Sequence, residues 1–442
     1  MRVFQNLSAA TIAALLGHTL AVPIVVHPGG VNDVVITSQD TLNETLSNQG
    51  PNQSATPLSA SDAEQLSVSV YNNFDSDSVN VYITGLDSDG NIVCLTSSGT
   101  WYTPTANTST TTPQEITDDI AIPIGAYGTT TSFTLPSYFS SGRVWVADGE
   151  LTFWTVIAST GVLSLVEPSA VNPDDPSAST NWGFVELTTD SSGITINLSY
   201  VDFVGLPLGI EVQGSDGTQS VLGVSVDAIS SICTDLATQA ASDGQPWNEL
   251  CMTDTSGNAL RVIAPYDYIS LEPDAFDTYW TSYVADVWSQ YETTPLTIDT
   301  QAAAGLVNCT VTSGTLNCAG DNRGYAQPVA SDIFGCNSGP FAIESGDNDV
   351  HLAVVPRLCA AFDRSTFLVS GGNVQPSLDS SSYYTTTPTN YYSKIVHQYE
   401  SDGKGYAFAY DDVTPDGGPN ASGLLNDPNP TLLTITVGGP TS

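Results

Sequence analysis

Two carboxylates stand alone among strand-forming residues, Glu186 in FVEL and Asp202 in YVDF, sixteen positions apart. A pair of acids suffices to hydrolyse a glycosidic bond, one protonating the leaving oxygen and the other acting as base or nucleophile. Asp148, Glu150, Glu167, Asp174, Asp175 and Asp190 lie nearby in the chain and compete for the same roles. A half-buried strand also has a wet face on which an acid costs nothing, so a purely structural reading stays open. Other chemistries find less support. His351 and His397 stand far apart without an HExxH arrangement, and His18 and His27 lie in the first residues, so no metal site is expected. No GxSxG elbow, dinucleotide fingerprint or P-loop occurs, so no cofactor is expected either. Carboxylates are what remain.

The acids must be positioned by the stretch Trp182 to Gly209, which reads as two strands around a turn at Asp190 to Gly193. A simple hairpin would pair residue 186 with 197 or 198. Asp202 would then lie about four positions further on, or about 13 Å at about 3.4 Å per residue. That overshoots the roughly 6.5–9.5 Å of an inverting pair. A bulge or strong curvature must close the gap, and a one-residue slip would turn one acid to the other face.

Upstream, LSVSVYNNF, VNVYITGLD, IVCL and GRVWVADG are short strands punctuated by Gly, Asp and Pro, as in a sandwich or barrel. Downstream, 227–241, 275–291 and 351–363 carry helical patterns. The stripe Phe276, Tyr279, Trp280, Tyr283, Val284, Val287 and Trp288 could serve as a sugar platform, but its period favours a buried core. Strand character returns in the final TLLTITV. The expected fold is mainly β: a β-barrel or sandwich domain over 66–225 plus 386–442, with an inserted mixed α/β domain over 226–385. Residues 1–22, with Arg2 and an apolar run, read as a signal peptide, and the polar stretch 23–65 as a flexible leader or propeptide.

Eight Lys and Arg stand against 47 Asp and Glu, a formal charge of −39. Such a field repels phosphate backbones and anionic bilayers, so neither nucleic acid nor a membrane is an expected partner. A secreted protein, extracellular or wall-associated and monomeric, is expected. Seven cysteines leave at least one unpaired, and Cys94, remote and inside an apolar run, is the nominee. Near-neighbour pairing of the other six joins Cys233 to Cys251, Cys309 to Cys318 and Cys336 to Cys359, one of many connectivities open to six cysteines. Acceptor sequons occur at Asn43, Asn52, Asn107, Asn197, Asn308 and Asn420.

The run VEPSAVNPDDP, then NWGFVELT, then INLSYVDFVGLPLG resembles glycoside hydrolase family 64, secreted endo-β-1,3-glucanases with a thaumatin-like β-barrel joined to an α/β domain. YAFAYDDV (406–413) resembles a C-terminal segment of thaumatin-like proteins, and the similarity extends from about residue 66 to the C-terminus. The resemblance implies a thaumatin-like fold with the cleft between barrel and insertion. It implies inverting hydrolysis of β-1,3-glucan to short oligosaccharides such as laminaripentaose, with Glu186 as general acid and Asp202 as general base. It places sugar-contacting polar residues at Thr188 and Asp190, where an Asp at the second position departs from the family's amide. Trp182 is the first candidate for a glucose-stacking ring and Tyr200 the second, each with core packing as an equal reading; Glu167 is the reserve carboxylate. The rival reading is a non-catalytic β-1,3-glucan-binding, thaumatin-like cell-wall protein, which could lose either acid freely.

Overall fold

The computed structural model describes residues 22–36, 41–42, 65–105, 112–157, 161–418 and 421–440. Residues 1–21 of the expected signal peptide lie outside these, as do the sequons at Asn43, Asn52, Asn107 and Asn420. Asn197 and Asn308 lie on the strands Gly193–Leu198 and Leu306–Thr312.

Two large sheets share one continuous core. The first has eight strands; its main path runs Leu425–Asp427, Gly193–Leu198, Asn181–Asp190, Phe139–Asp148, Val79–Leu86, Ile92–Leu95 and Trp101–Tyr102. The second runs Gly217–Val221, Leu208–Gly214, Leu432–Val437, Leu66–Asn72 and Thr130–Leu135. Alternation in sequence becomes alternation in burial: Val68 and Val70 from one strand, and Leu433 and Ile435 from its neighbour, join Val81, Ile83, Val144, Val146, Val185 and Leu187 of the other sheet. The last strand lies parallel to the first of its sheet, Val70 beside Ile435.

The expected mainly β fold with a barrel is corrected by this topology. The sheets are open, none closes into a barrel, and the chain is mixed α/β with about 20% helix and 32% strand. Closure would require the end strands to pair. Instead Leu425–Asp427 and Trp101–Tyr102 remain opposite edges of one sheet, and Gly217–Val221 and Thr130–Leu135 of the other. All six α-helices of the described residues fall between Ala228 and Tyr399.

The aromatic stripe is core: Phe276, Trp280, Tyr283, Val284, Val287 and Trp288 are buried. Its helix covers only Thr281–Tyr291, because Phe276 takes a φ of 59° that no helix continues through. Disulfides join Cys233 to Cys251, Cys309 to Cys318 and Cys336 to Cys359, and Cys94 is free and buried. Residues 22–36 and 41–42 dock on the rest: Ile24–Val25 pairs in parallel with Cys251–Thr253, and the His27 amide donates to the Pro173 carbonyl at 2.8 Å. No helix of the described residues is long and apolar enough to cross a membrane.

Candidate active site

Glu186 sits on the strand Asn181–Asp190, where it, Thr188 and Asp190 are half-buried while Val185, Leu187 and Thr189 point into the core. Strand pairing extends this position into a cross-strand row: Asn197, Glu186, Arg143, Thr84, Cys94 and Tyr102 face one another across six strands. Two residues along, on the same face, Phe184, Trp145 and Tyr82 form a parallel row. Trp145 packs on Phe184 at 5.1 Å and on Trp182 at 5.4 Å between ring centres. A polar row thus lies beside an aromatic one.

Arg143 organises the charges. Its Nη1 lies 2.6 Å from Glu167 Oε2 and its Nη2 lies 3.3 Å from Glu186 Oε1, while the guanidinium covers the Phe184 ring at 4.7 Å. Thr84 Oγ1 donates to the second Glu167 oxygen at 3.2 Å and accepts from Trp145 Nε1 at 2.9 Å. Asn197 Nδ2 reaches Glu186 Oε2 at 3.5 Å. The two glutamates differ in access, the Glu186 side chain being 37% exposed and that of Glu167 only 1%. Burial works against the charge on Arg143, but Glu167, Glu186 and Asp202 together outweigh it and hold the guanidinium above its ordinary range. Burial pushes the Glu167 carboxyl above its ordinary range, and Arg143 and Thr84 pull it only part of the way back.

Asp202 arrives by a change of sheet. The strand after the turn pairs Glu186 with Asn197 and ends at Leu198. Tyr200 N then donates to the Tyr406 carbonyl at 2.7 Å, and the Tyr200 carbonyl accepts from Tyr392 Oη at 2.6 Å. After a bend at Val201 and Asp202, Phe203–Val204 joins the four-stranded sheet of Ile24–Val25, Cys251–Thr253 and Ala259–Ile263. The Asp202 carbonyl accepts from Ala264 N at 2.7 Å. The chain then passes back over the start of the Glu186 strand: the Phe203 ring meets Trp182 at 4.6 Å and Phe184 at 5.7 Å, and Leu206 N donates to the Trp182 carbonyl. Asp202, just before this crossing, is exposed, and its charge acts on Arg143. Glycine is required at the crossing, because a Cβ on Gly205 would stand 2.0 Å from the Trp182 carbonyl oxygen.

Other site candidates fall elsewhere. Trp182 is 1% exposed, wedged between Trp145, Phe203 and the Arg261 guanidinium, so its ring offers no face to a sugar. Tyr200 is 7% exposed and belongs to the core, and Glu167 is bound by Arg143 and Thr84 beneath the surface. These are corrections to a substrate-contacting role: Trp182 is enclosed by Trp145, Phe203 and Arg261, Tyr200 by Gly405 of the C-terminal segment, and Glu167 is held by Arg143 and Thr84. Thr188 shares the Glu186 face, and Asp190 accepts from Ser192 N at 2.6 Å within the turn. Arg143, Thr84 and Asn197 escape sequence reading, although a lone cation in GRVWVAD, in a chain with eight Lys and Arg, is a signal in itself. Among the described residues Cys336, Cys359 and Asp363 cluster closely enough to hold an ion, but both sulfurs are joined in a disulfide.

Residues 64–437 match the family model for glycoside hydrolase family 64, described as β-1,3-glucanase. The chain belongs to glycoside hydrolase family 64. Two relatives named glucan endo-1,3-beta-glucosidase are 28% identical to it: one from Cellulosimicrobium cellulans over 306 residues, the other from Arthrobacter sp. (strain YCWD3) over 319. These alignments take in 65% and 68% of this chain but 52% and 55% of those proteins, so the chain spans about half the length of the curated relatives it matches. Among solved structures, the fold resembles a laminaripentaose-producing β-1,3-glucanase in complex with laminaritetraose, with a TM-score of 0.72 at 25% identity, covering 84% of this chain and 98% of that one. A family 64 β-1,3-glucanase domain from Clostridium beijerinckii shares the fold at a TM-score of 0.63 and 21% identity, over 85% and 99% of the two chains.

Proposed function

We propose that this family 64 chain is a secreted endo-β-1,3-glucanase that cuts laminarin-like glucan into short oligosaccharides, laminaripentaose among them, with inversion. Glu186 is the general acid and Asp202 the general base. The observation that supports this reading is half-exposed Glu186 held on the Arg143 guanidinium, on which exposed Asp202 also acts, beside the rings of Phe184 and Trp145. Glu186 gives its proton to the leaving glycosidic oxygen as the bond to the anomeric carbon breaks. Asp202 takes a proton from the water that attacks that carbon from the opposite side, so the product carries inverted configuration.

In this reading the glucan lies between a β unit of 66–225 plus 386–442 and an inserted unit of 226–385, with Thr188 and Asp190 contacting the sugar beside the acid. Family membership supports the substrate class, and the three disulfides support an extracellular setting. Reducing-end release from laminarin tests the assignment. Glu186→Gln and Asp202→Asn should each lower turnover about 10²–10⁴-fold, the scale of acid–base catalysis, without unfolding the protein. Unchanged turnover in Glu186→Gln would sink the reading. Proton NMR of the first-formed anomer checks inversion.

A further inference from the structure

We propose that Glu167 is a positioning residue for the acid step: by pairing with Arg143 it cancels the guanidinium's charge and leaves Glu186 able to carry the proton it donates. This rests on Glu186 being the general acid. Arg143 lies between the two glutamates, Nη1 on Glu167 and Nη2 on Glu186. An unopposed cation at 3.3 Å from Glu186 would hold it as a carboxylate, the wrong form for an acid, since an opposite charge that close moves protonation by about 1–3 pH units. Glu167 takes the shorter contact, 2.6 Å, and its other oxygen is engaged by Thr84, so it is committed to Arg143 and buried away from any substrate. Burial of Glu167 raises the cost of its charge, and Arg143, with Thr84, offsets part of that cost. Once Glu186 has given up its proton, the Nη2 contact is already in place to stabilise the new carboxylate.

Every element around Glu186 enters this balance. Arg143 faces it from one neighbouring strand and the uncharged Asn197 amide from the other. Glu167 reaches over from the segment after Leu163–Val166, Asp202 from the sheet change, and Tyr406, which feels the Glu186 charge, from the C-terminal segment. Arg143 is the one cation among these groups, so how far Glu167 and Asp202 compensate it sets the local field at Glu186.

The test is kcat/KM on laminarin against pH for wild type, Glu167→Gln and Arg143→Gln, with near-ultraviolet circular dichroism to establish folding. The alkaline limb reports loss of the acid's proton. With Glu167→Gln the guanidinium loses its nearest opposing charge and keeps only the more weakly acting Asp202 beside Glu186, and the limb moves down by about one pH unit. With Arg143→Gln the cation is gone and Glu167 remains, so the limb moves up by about one pH unit. If Glu167→Gln fails to fold, the upward shift in Arg143→Gln alone must appear. A general fall in rate with an unmoved limb, or a downward shift in Arg143→Gln, overturns the proposal. Glu186→Gln separates this from the underlying reading: full activity there removes the acid assignment itself, whereas inactivity there with unmoved limbs removes only the role of Glu167.

Discussion

At the scale of single residues, the site is defined by what each side chain already touches. Glu186 and Glu167 have the same chemistry, yet 37% exposure against 1% gives one to solvent and the other to Arg143. Asn197 belongs to an acceptor sequon, but its amide points at Glu186, and a glycan there would fill the space in front of the acid. Asn308 is exposed on the strand Leu306–Thr312, away from this row. Glycopeptide mapping of protein from a glycosylating host should therefore find Asn308 occupied and Asn197 bare; full occupancy of Asn197 in active enzyme would contradict the placement of the site.

At the scale of elements, the decisive feature is the crossing of residues 203–206 over the Glu186 strand. Hairpin arithmetic asked for a bulge or curvature between residues 186 and 202. The bulge in the Glu186 strand lies between Leu187 and Thr189 against its other neighbour, and the chain reaches Asp202 by leaving the sheet after Leu198. The crossing depends on close backbone approach at Gly183 and Gly205. Gly205→Ala should destabilise the fold by about 1–3 kcal/mol through overpacking, read as a lower urea midpoint. It should also lower turnover by displacing Asp202, measured on laminarin at a temperature where the variant remains folded. A variant with both values unchanged would show that the approach is slack.

At the scale of the whole molecule, distant segments meet in buried charge clusters that govern response to pH. His397, on the helix Tyr391–Tyr399, places Nδ1 2.8 Å from Glu400 and Nε2 2.9 Å from Asp411, and Arg364 reaches Asp411 at 2.8 Å. Burial opposes the imidazolium, but Asp411 and Glu400 outweigh it and raise His397 to about 10. An unfolded histidine titrates near about 6.5, so the folded state holds this proton more tightly. The contribution is complete below about pH 6.5 and is lost as pH rises toward about 10. Thermal scans should show stability falling across that window, and His397→Gln should be less stable at pH 6 with a flatter dependence above it. A slope unchanged by the substitution would exclude His397 as its source.

Sequence by itself determined the alternating strands, the buried aromatic stripe, and the isolation of Glu186 and Asp202 among apolar neighbours, because periodicity and composition are local and survive without coordinates. The motifs around those acids also carried the family. Tertiary structure alone decided that the sheets stay open, that Trp182 and Tyr200 are core, and that Arg143 stands between Glu167 and Glu186. Each of these depends on which strand pairs with which, and residues 84, 143, 167 and 186 meet only through tertiary pairings that no local pattern encodes.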